Sequence, residues 1–261
     1  MDDARDCSNC GRTTDVPGQK FCPDCGQPTP AHRIDWHFLG HELEHSVLHM
    51  DRGIFYTLKN LMFRPGYFVR DYIEGRRANH AKPFLLIMMM AALIIVLSKW
   101  FLGRDVVDAV AATAKAEAAR AAGDLGAERI ATVYASLNAF MSRHFAATTL
   151  ALIPVEAVMF RLAFGKVGRL NYPEWLLITA FLTVQTFVLW VLSFPLQRIH
   201  AGGMNWVLLA SIAYGVFTLI QLFSGYPRWK TVLRTLAGFG LFMLVQAVVM
   251  LLVTIWVVVN S

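Results

Sequence analysis

The sequence predicts an all-α integral membrane protein with a small metal-binding head, and three observations carry this prediction. The 261-residue chain is 56% hydrophobic and 16% charged, with a mean hydropathy of +0.47. Soluble proteins carry roughly a quarter charged residues, and a soluble globule of this size has too much surface for so few charges to cover. Five apolar stretches are long enough to cross a bilayer, and all four cysteines lie within the first 25 residues. The composition excludes disordered and fibrous proteins and argues against an ordinary soluble enzyme.

The head, residues 1–31, is predicted from two Cys-x-x-Cys-Gly units separated by eleven residues. Two thiolates three positions apart can reach one metal ion from a tight turn, and two such turns complete a tetrahedral site. The expected cofactor is therefore Zn²⁺, held by Cys7, Cys10, Cys22 and Cys25. Four protein ligands leave no position for a substrate, which indicates a structural or docking role. The alternatives are two disulfides or a redox pair. Disulfides need an oxidising compartment, but acidic residues stand where a secretory signal would begin with basic ones.

The charge changes sign after the head. Residues 1–51 hold 4 Lys or Arg against 9 Asp or Glu, whereas residues 52–82 hold 7 against 2. The basic excess precedes the first long apolar run, which favours anionic membrane lipids, or a membrane-protein partner, over nucleic acid.

Residues 32–83 are predicted to form short amphipathic helices on the cytoplasmic face. One follows Asp35, which can cap it, a second runs from Ile54 to Phe63, and a third runs from Tyr67 to Gly75. Apolar stripes with Lys and Arg flanks suit a position at the membrane interface.

The first of these helices contains His41-Glu42-Leu43-Glu44-His45, which matches H-E-x-x-H. This pattern places two imidazoles on one helix face for Zn²⁺, with a glutamate beside them to act as a base. The histidines recur every four residues to His49, and His41 and His49 would lie about 12 Å apart, too far to share one ion. Three interpretations stay open: a catalytic metal site with His41, Glu42 and His45, a face that responds to pH or lipid, and the solvated face of an amphipathic helix.

Residues 84–261 are predicted to form a five-helix transmembrane domain, because about 20 helical residues cross a hydrocarbon core about 30 Å thick. The expected spans are 84–102, 146–164, 175–194, 204–224 and 236–258. Trp175 is expected at the membrane interface, and Pro154 makes the second span the least secure. An alanine-rich segment at about 104–145 reads as helices outside the membrane.

The short loops predict the orientation of these spans. Loops 161–174 and 225–235 each carry three Lys or Arg, whereas loop 195–203 carries one. The positive-inside rule then places the N-terminus in the cytoplasm and the C-terminus outside it.

Three polar side chains fall at mid-depth in the predicted spans: Glu156, Gln185 and Gln246. An ionisable group at that depth is costly and indicates a functional site by default. With Thr183 and Tyr214 they could line a site for proton or solute movement. The alternative is interhelical hydrogen bonding that fixes the packing only, and no broken pair of half-helices or inverted repeat of a transporter is evident.

Several motifs stand together in the N-terminal part of the chain. They are the two cysteine units, His49-Met50-Asp51-Arg52-Gly53, Arg64-Pro65-Gly66, Arg70-Asp71-Tyr72-Ile73-Glu74-Gly75-Arg76-Arg77 and Pro83-Phe84. This order resembles an uncharacterised bacterial zinc-ribbon membrane family, domain-of-unknown-function family 3667. The resemblance implies an N-terminal zinc ribbon joined to a multi-pass membrane domain, and it implies no activity. It makes the basic stretch the family's hallmark, with Arg64, Gly66, Arg70, Tyr72, Gly75, Arg76 and Arg77 as the positions to test.

The sequence as a whole predicts a non-enzymatic multi-pass protein of the bacterial inner membrane. Its zinc ribbon and basic juxtamembrane helices would bind a partner or anionic lipid through Arg64, Arg70, Tyr72, Arg76 and Arg77. One alternative is a membrane-associated zinc metallohydrolase that uses the H-E-x-x-H motif. The other is a small channel or transporter centred on Glu156. No nucleotide-binding, nucleophile-elbow or kinase motif is present.

Overall fold

The structure, a computed structural model, describes residues 5–14, 20–29, 33–40, 53–78, 80–102, 125–197 and 203–260. Its only strands among these residues are two short ones in the head, β1 (Arg5–Asp6) and β2 (Thr13–Thr14), which pair antiparallel. Residues 36–40 are helical. The longer helices are α1 (Ile54–Phe63), α2 (Pro65–Ile73), α3 (Pro83–Leu102), α4 (Leu125–Arg143), α5 (Phe145–Phe164), α6 (Tyr172–Gln197), α7 (Gly203–Leu222) and α8 (Arg228–Asn260).

Helices occur at all five predicted spans, and four of them are long and apolar enough to cross a membrane. These four candidate spans are Pro83–Phe101, Phe145–Phe164, Tyr172–Gln197 and Arg228–Asn260. In α7 the described apolar stretch, Trp206–Leu222, is shorter than these four spans. A fifth crossing therefore stays a prediction.

The structure bears on two expectations: that Pro154 makes the second span the least secure, and that the alanine-rich segment is helical. Helix α5 continues through Pro154 without a break. In the alanine-rich segment, α4 is helical as expected and is not among the candidate spans. The first part of that segment, residues 103–124, lies outside the described residues.

Helix α6 is the centre of the bundle, since 56% of its most apolar stretch is buried, against 6% for α8. Trp175 was expected at the membrane interface, and the structure shows that its side chain is fully buried in the bundle. Its ring contacts those of Phe160, Phe164 and Phe223. The first turn of α6 is covered by α5 and by the end of α7, so even a terminal aromatic residue there faces protein.

Helices α1 and α2 form a helical hairpin with Arg64 at its tip. The Ile54 and Phe63 ends of α1 agree with the prediction, whereas α2 begins at Pro65 because proline is well suited to the first turn of a helix. The hairpin packs along the sides of α6 and α7, and its position at the membrane surface stays a prediction. The ring of Phe68 meets Phe181 of α6 edge-on, with centroids 5.0 Å apart. Phe181 is nine residues, about 14 Å, inside the Tyr172 end of α6.

Gly66 allows this position of the hairpin. A Cβ atom at Gly66 would overlap three atoms of α7: the Cβ of Gln221, the carbonyl oxygen of Thr218 and the amide nitrogen of Leu222. Two of these are backbone atoms of a helix, which have no rotamer by which to move away. The first turn of α2 therefore reaches α7 because residue 66 has no side chain.

We predict that Gly66→Ala destabilises the protein strongly. Overpacking typically costs about 1–3 kcal/mol, and a clash with helix backbone belongs at the upper end. The melting temperature of the purified protein should fall by roughly 5 °C or more. The matched control is Gly240→Ala, because a Cβ there meets nothing within 4 Å and alanine favours a helix over glycine. Equal melting temperatures for the two variants would contradict the close contact.

Candidate metal centre and functional surfaces

Two turns with the same hydrogen-bond pattern hold the four cysteines. In each turn the glycine N–H donates to the carbonyl of the first cysteine, from Gly11 to Cys7 at 2.8 Å and from Gly26 to Cys22 at 2.9 Å. Both glycines have positive φ, +75° and +71°. Glycine adopts this left-handed conformation at no steric cost, so the residue after each Cys-x-x-Cys closes the turn.

The four sulfur atoms converge on one point. All four Sγ atoms lie within 4.8 Å of one another, and the Cys7–Cys25 and Cys10–Cys22 pairs are 3.6 and 3.5 Å apart. Tetrahedral Zn–S bonds of about 2.3 Å would separate the sulfurs by about 3.8 Å, whereas a disulfide needs about 2.05 Å. The cysteines are free thiols, which argues against disulfides, and the cluster could bind a metal ion.

The Cys22 thiol is prepared for metal binding by its surroundings. Backbone N–H groups of Cys25 and Asp24 donate to its sulfur and lower the pKa of Cys22 to about 7. The side chain is buried. Thiolates, rather than thiols, are the metal ligands, so the second turn favours the binding form of Cys22. At Cys10 a backbone hydrogen bond from Arg12 lowers the pKa, but desolvation and hydrogen bonds from the other thiols outweigh it and raise the pKa.

Two hydrogen bonds connect this head to the end of the hairpin. The Ser8 hydroxyl donates to the carbonyl of Gly75 at 3.4 Å. The backbone N–H of Arg77 donates to the side-chain oxygen of Gln27 at 3.1 Å, and Gln27 is buried. Ser8 lies inside the first cysteine turn and Gln27 directly follows the second, so residues in or beside both turns dock the head on the hairpin.

A third attachment joins residues 33–40 to the start of α6. Asn171 and Glu174 form a capping box, in which each side chain accepts the other's backbone N–H at 2.7–2.8 Å. Arg33 donates to both carboxylate oxygens of Glu174 at 2.6 and 2.9 Å, which raises the pKa of the guanidinium. Sequence reasoning missed these residues. The Asn-Tyr-Pro-Glu pattern ahead of an apolar run is a capping-box signal that could have found them.

Arg70 and Gln221 cap the ends of each other's helices. Arg70 donates to the carbonyls of Gln221 and Leu222 and to the hydroxyl of Ser224, so it satisfies the C-terminal end of α7. In return, the Gln221 side chain accepts the backbone N–H of Gly66 at 3.1 Å, at the N-terminal end of α2. Arg70 was predicted as a lipid or partner contact, and the structure gives it these intramolecular bonds.

The other predicted contact residues divide by exposure. Tyr72 is buried, and Arg77 lies over its ring and that of Phe38 while donating to the Tyr72 carbonyl. Arg76 is partly exposed and bonds to Asp71 and Glu74. Arg64, at the hairpin tip, is exposed and its guanidinium lies 5.8 Å from the ring centroid of Tyr67.

The mid-depth polar residues fall into two groups. Gln185 donates to the carbonyl of Leu61 at 3.3 Å, and Tyr214 donates to that of Met62, so both cap the C-terminal end of α1. Glu156 and Gln246 instead line a cavity with Thr183. The predicted common site of these residues is therefore two separate arrangements, of which the first has a packing role.

His80, a possible further ligand for the H-E-x-x-H motif, lies in an aromatic surrounding. Its ring contacts Tyr56 and Phe68, with centroids 5.4 and 4.8 Å away. Its Nδ1 is buried with no hydrogen-bond partner among the described residues, and burial lowers the pKa of the imidazole. The motif residues His41, Glu42 and His45 lie outside the described residues.

The comparisons with known proteins concern the hairpin. The model of a family described as "Protein of unknown function (DUF3667)" matches residues 51–95, which contain the hairpin and most of α3. The resemblance stated from the sequence is confirmed over this range, and the cysteine head lies outside it. No curated protein and no solved structure matches the chain.

We predict one bound metal ion per chain, because the four cysteines form a single closed site. Elemental analysis of the purified full-length protein should find this ion, and Cys7→Ser or Cys22→Ser should remove it. Asn9→Ser, which changes a residue of the first turn that supplies no thiolate, should leave it in place. A second ion that disappears in a His41→Ala/His45→Ala variant would support the metallohydrolase alternative and contradict a single site.

Proposed function

We propose that the chain is a multi-pass protein of the bacterial inner membrane that binds anionic lipid through its hairpin and has no catalytic activity. A Zn²⁺-stapled cytoplasmic head holds the hairpin in position, and five helices anchor both. A membrane-protein partner that carries acidic groups is the alternative occupant of the same surface.

Zinc is favoured as the metal by the donor set. Four thiolates at tetrahedral spacing suit Zn²⁺, and a closed four-ligand site supplies folding free energy instead of a reactive position. A head of about thirty residues has too small a core to be stable alone. The metal would therefore affect function indirectly: it would keep the head folded, and the folded head would hold the hairpin in position.

The orientation is supported by where the basic loops meet. Arg234 donates to the carbonyls of Ala163 and Phe164, joining the two loops that carry three basic residues each. The hairpin and residues 33–40 attach at the same end, through Arg70 and Arg33. Positive charge, reduced thiols and the hairpin thus share one end of the bundle, as expected for the cytoplasmic side.

The observation that carries the proposal is the outer face of the hairpin. Lys59 and Arg64 are exposed there among the rings of Phe55, Phe63 and Tyr67, which are 86%, 77% and 42% exposed. Exposed aromatic rings beside basic groups are typical of the membrane interface, where rings enter the headgroup layer and cations pair with lipid phosphates.

Within this proposal the predicted contact residues have different tasks. Arg64 faces the lipid, whereas Arg76, which is 42% exposed, lies beyond the other end of α2 and is paired with Asp71 and Glu74. Arg70, Tyr72 and Arg77 hold the hairpin against α7 and the head. Changes at these three should act through stability more than through lipid binding.

We predict that the protein is stabilised by anionic lipid and that Lys59→Glu/Arg64→Glu removes much of this effect. Each basic residue near an anionic surface contributes about 1 kcal/mol. In nanodiscs, replacing phosphatidylcholine by phosphatidylglycerol should raise the melting temperature of the unmodified protein, and the double variant should lose at least half of this rise.

The control is Arg129→Glu/Arg143→Glu, which makes the same change in charge on α4, where both side chains are exposed. It should keep the full rise with phosphatidylglycerol. A full rise in the hairpin variant as well would reject lipid binding by this face and leave the protein partner as the remaining occupant.

A further inference from the structure

A cavity of about 380 Å³ lies between α5, α6, α7 and α8. Its volume is within the range of small-molecule sites, about 300–1,000 Å³. The walls are largely apolar, with Leu182, Phe239 and Phe242 among them. A second cavity of about 420 Å³, between α4 and α8, shares the lining residues Met243 and Gln246 with the first.

The polar atoms of this cavity are mostly hydrogen-bond acceptors. Four hydroxyl groups line it, and each donates its proton to a carbonyl one turn earlier in its own helix, at 2.8–3.1 Å: those of Thr149, Thr183, Thr186 and Ser211. A hydroxyl has one proton and two lone pairs, so these groups present lone pairs to the cavity. The lining's N–H donors are the Gln246 amide and the Trp190 indole.

Glu156 adds a carboxyl group to this acceptor-rich surface. Its side chain is 9% exposed and lines the cavity. Among the described residues it has no hydrogen-bond or ion-pair partner. A carboxyl group that is buried without a partner is costly, and here the open side of the group faces the cavity. The missing partner of Glu156 is therefore expected to be a donor that enters from outside the protein.

We propose that this cavity binds a lipophilic amine. The protonated ammonium group would pair with Glu156 and donate to the hydroxyl oxygens, and the apolar body would contact Leu182, Phe239 and Phe242. An ammonium group supplies donors and no acceptors, which is the complement of this lining, and nearby aromatic rings favour a cation. This site is separate from the head and the hairpin, and it extends beyond the proposed lipid-binding function without depending on it.

The test uses the purified full-length protein in detergent at pH 7, with n-octylamine as the probe and n-octanol as its neutral counterpart. Binding is read as a concentration-dependent rise in melting temperature, which gives an apparent Kd. The amine should bind the unmodified protein more tightly than the alcohol. Glu156→Gln keeps the shape of the side chain and should weaken amine binding at least about tenfold, as expected for a hydrogen bond to a charged group.

Two further variants keep the outcome decisive. Glu74→Gln makes the same chemical change at an exposed residue and should leave amine binding unaltered. Ser211→Leu fills the cavity while keeping Glu156, and it should weaken amine binding even if the Glu156 variant fails to fold. Equal binding of the amine and the alcohol, or unchanged amine binding by the Glu156 or the Ser211 variant, would overturn the proposal.

Discussion

Gly66 brings the first turn of α2 onto the last turn of α7, and the polar groups freed at the two helix ends pair across this contact. Arg70 satisfies carbonyls at the end of α7, and Gln221 accepts the N–H of Gly66. Unpaired backbone groups are costly where little water reaches them. The start of α2 and the end of α7 therefore stabilise each other, because each supplies hydrogen-bond partners for the backbone of the other. The planar guanidinium, with its several donors, suits this task better than an ammonium group.

The position of the hairpin links the metal centre to the membrane helices. Its inner side contacts Phe181 of α6 through Phe68 and Tyr72, and its far end is hydrogen-bonded to Ser8 and Gln27 of the head. The small head is joined to the bundle through these contacts. We therefore interpret the head as a support for the hairpin, whose outer face keeps its aromatic and basic side chains exposed. The family match over residues 51–95 covers the hairpin, the element that connects the other parts.

Local patterns predicted much of this architecture. Cysteine spacing predicted the cluster of four sulfur atoms, and hydropathy placed a helix at each expected span, because both depend on residues close in sequence. Sequence reasoning failed where contacts are long-range. It did not foresee that Arg70, predicted as a lipid or partner contact, caps α7, or that Trp175, expected at the membrane interface, is buried inside the bundle. It grouped Gln185 with Glu156 by depth alone, whereas the directions of their side chains, which hydropathy does not encode, separate them.

The most direct test of the central claim, that the inner face of the hairpin is packed against α6 and α7, is amide hydrogen exchange of the full-length protein in nanodiscs. Exchange reports how often a backbone hydrogen bond opens. The account predicts that peptides from residues 61–72 exchange as slowly as those from residues 175–187, the most buried part of α6. Exchange of residues 61–72 at the fast rate of a solvent-exposed surface helix would contradict it.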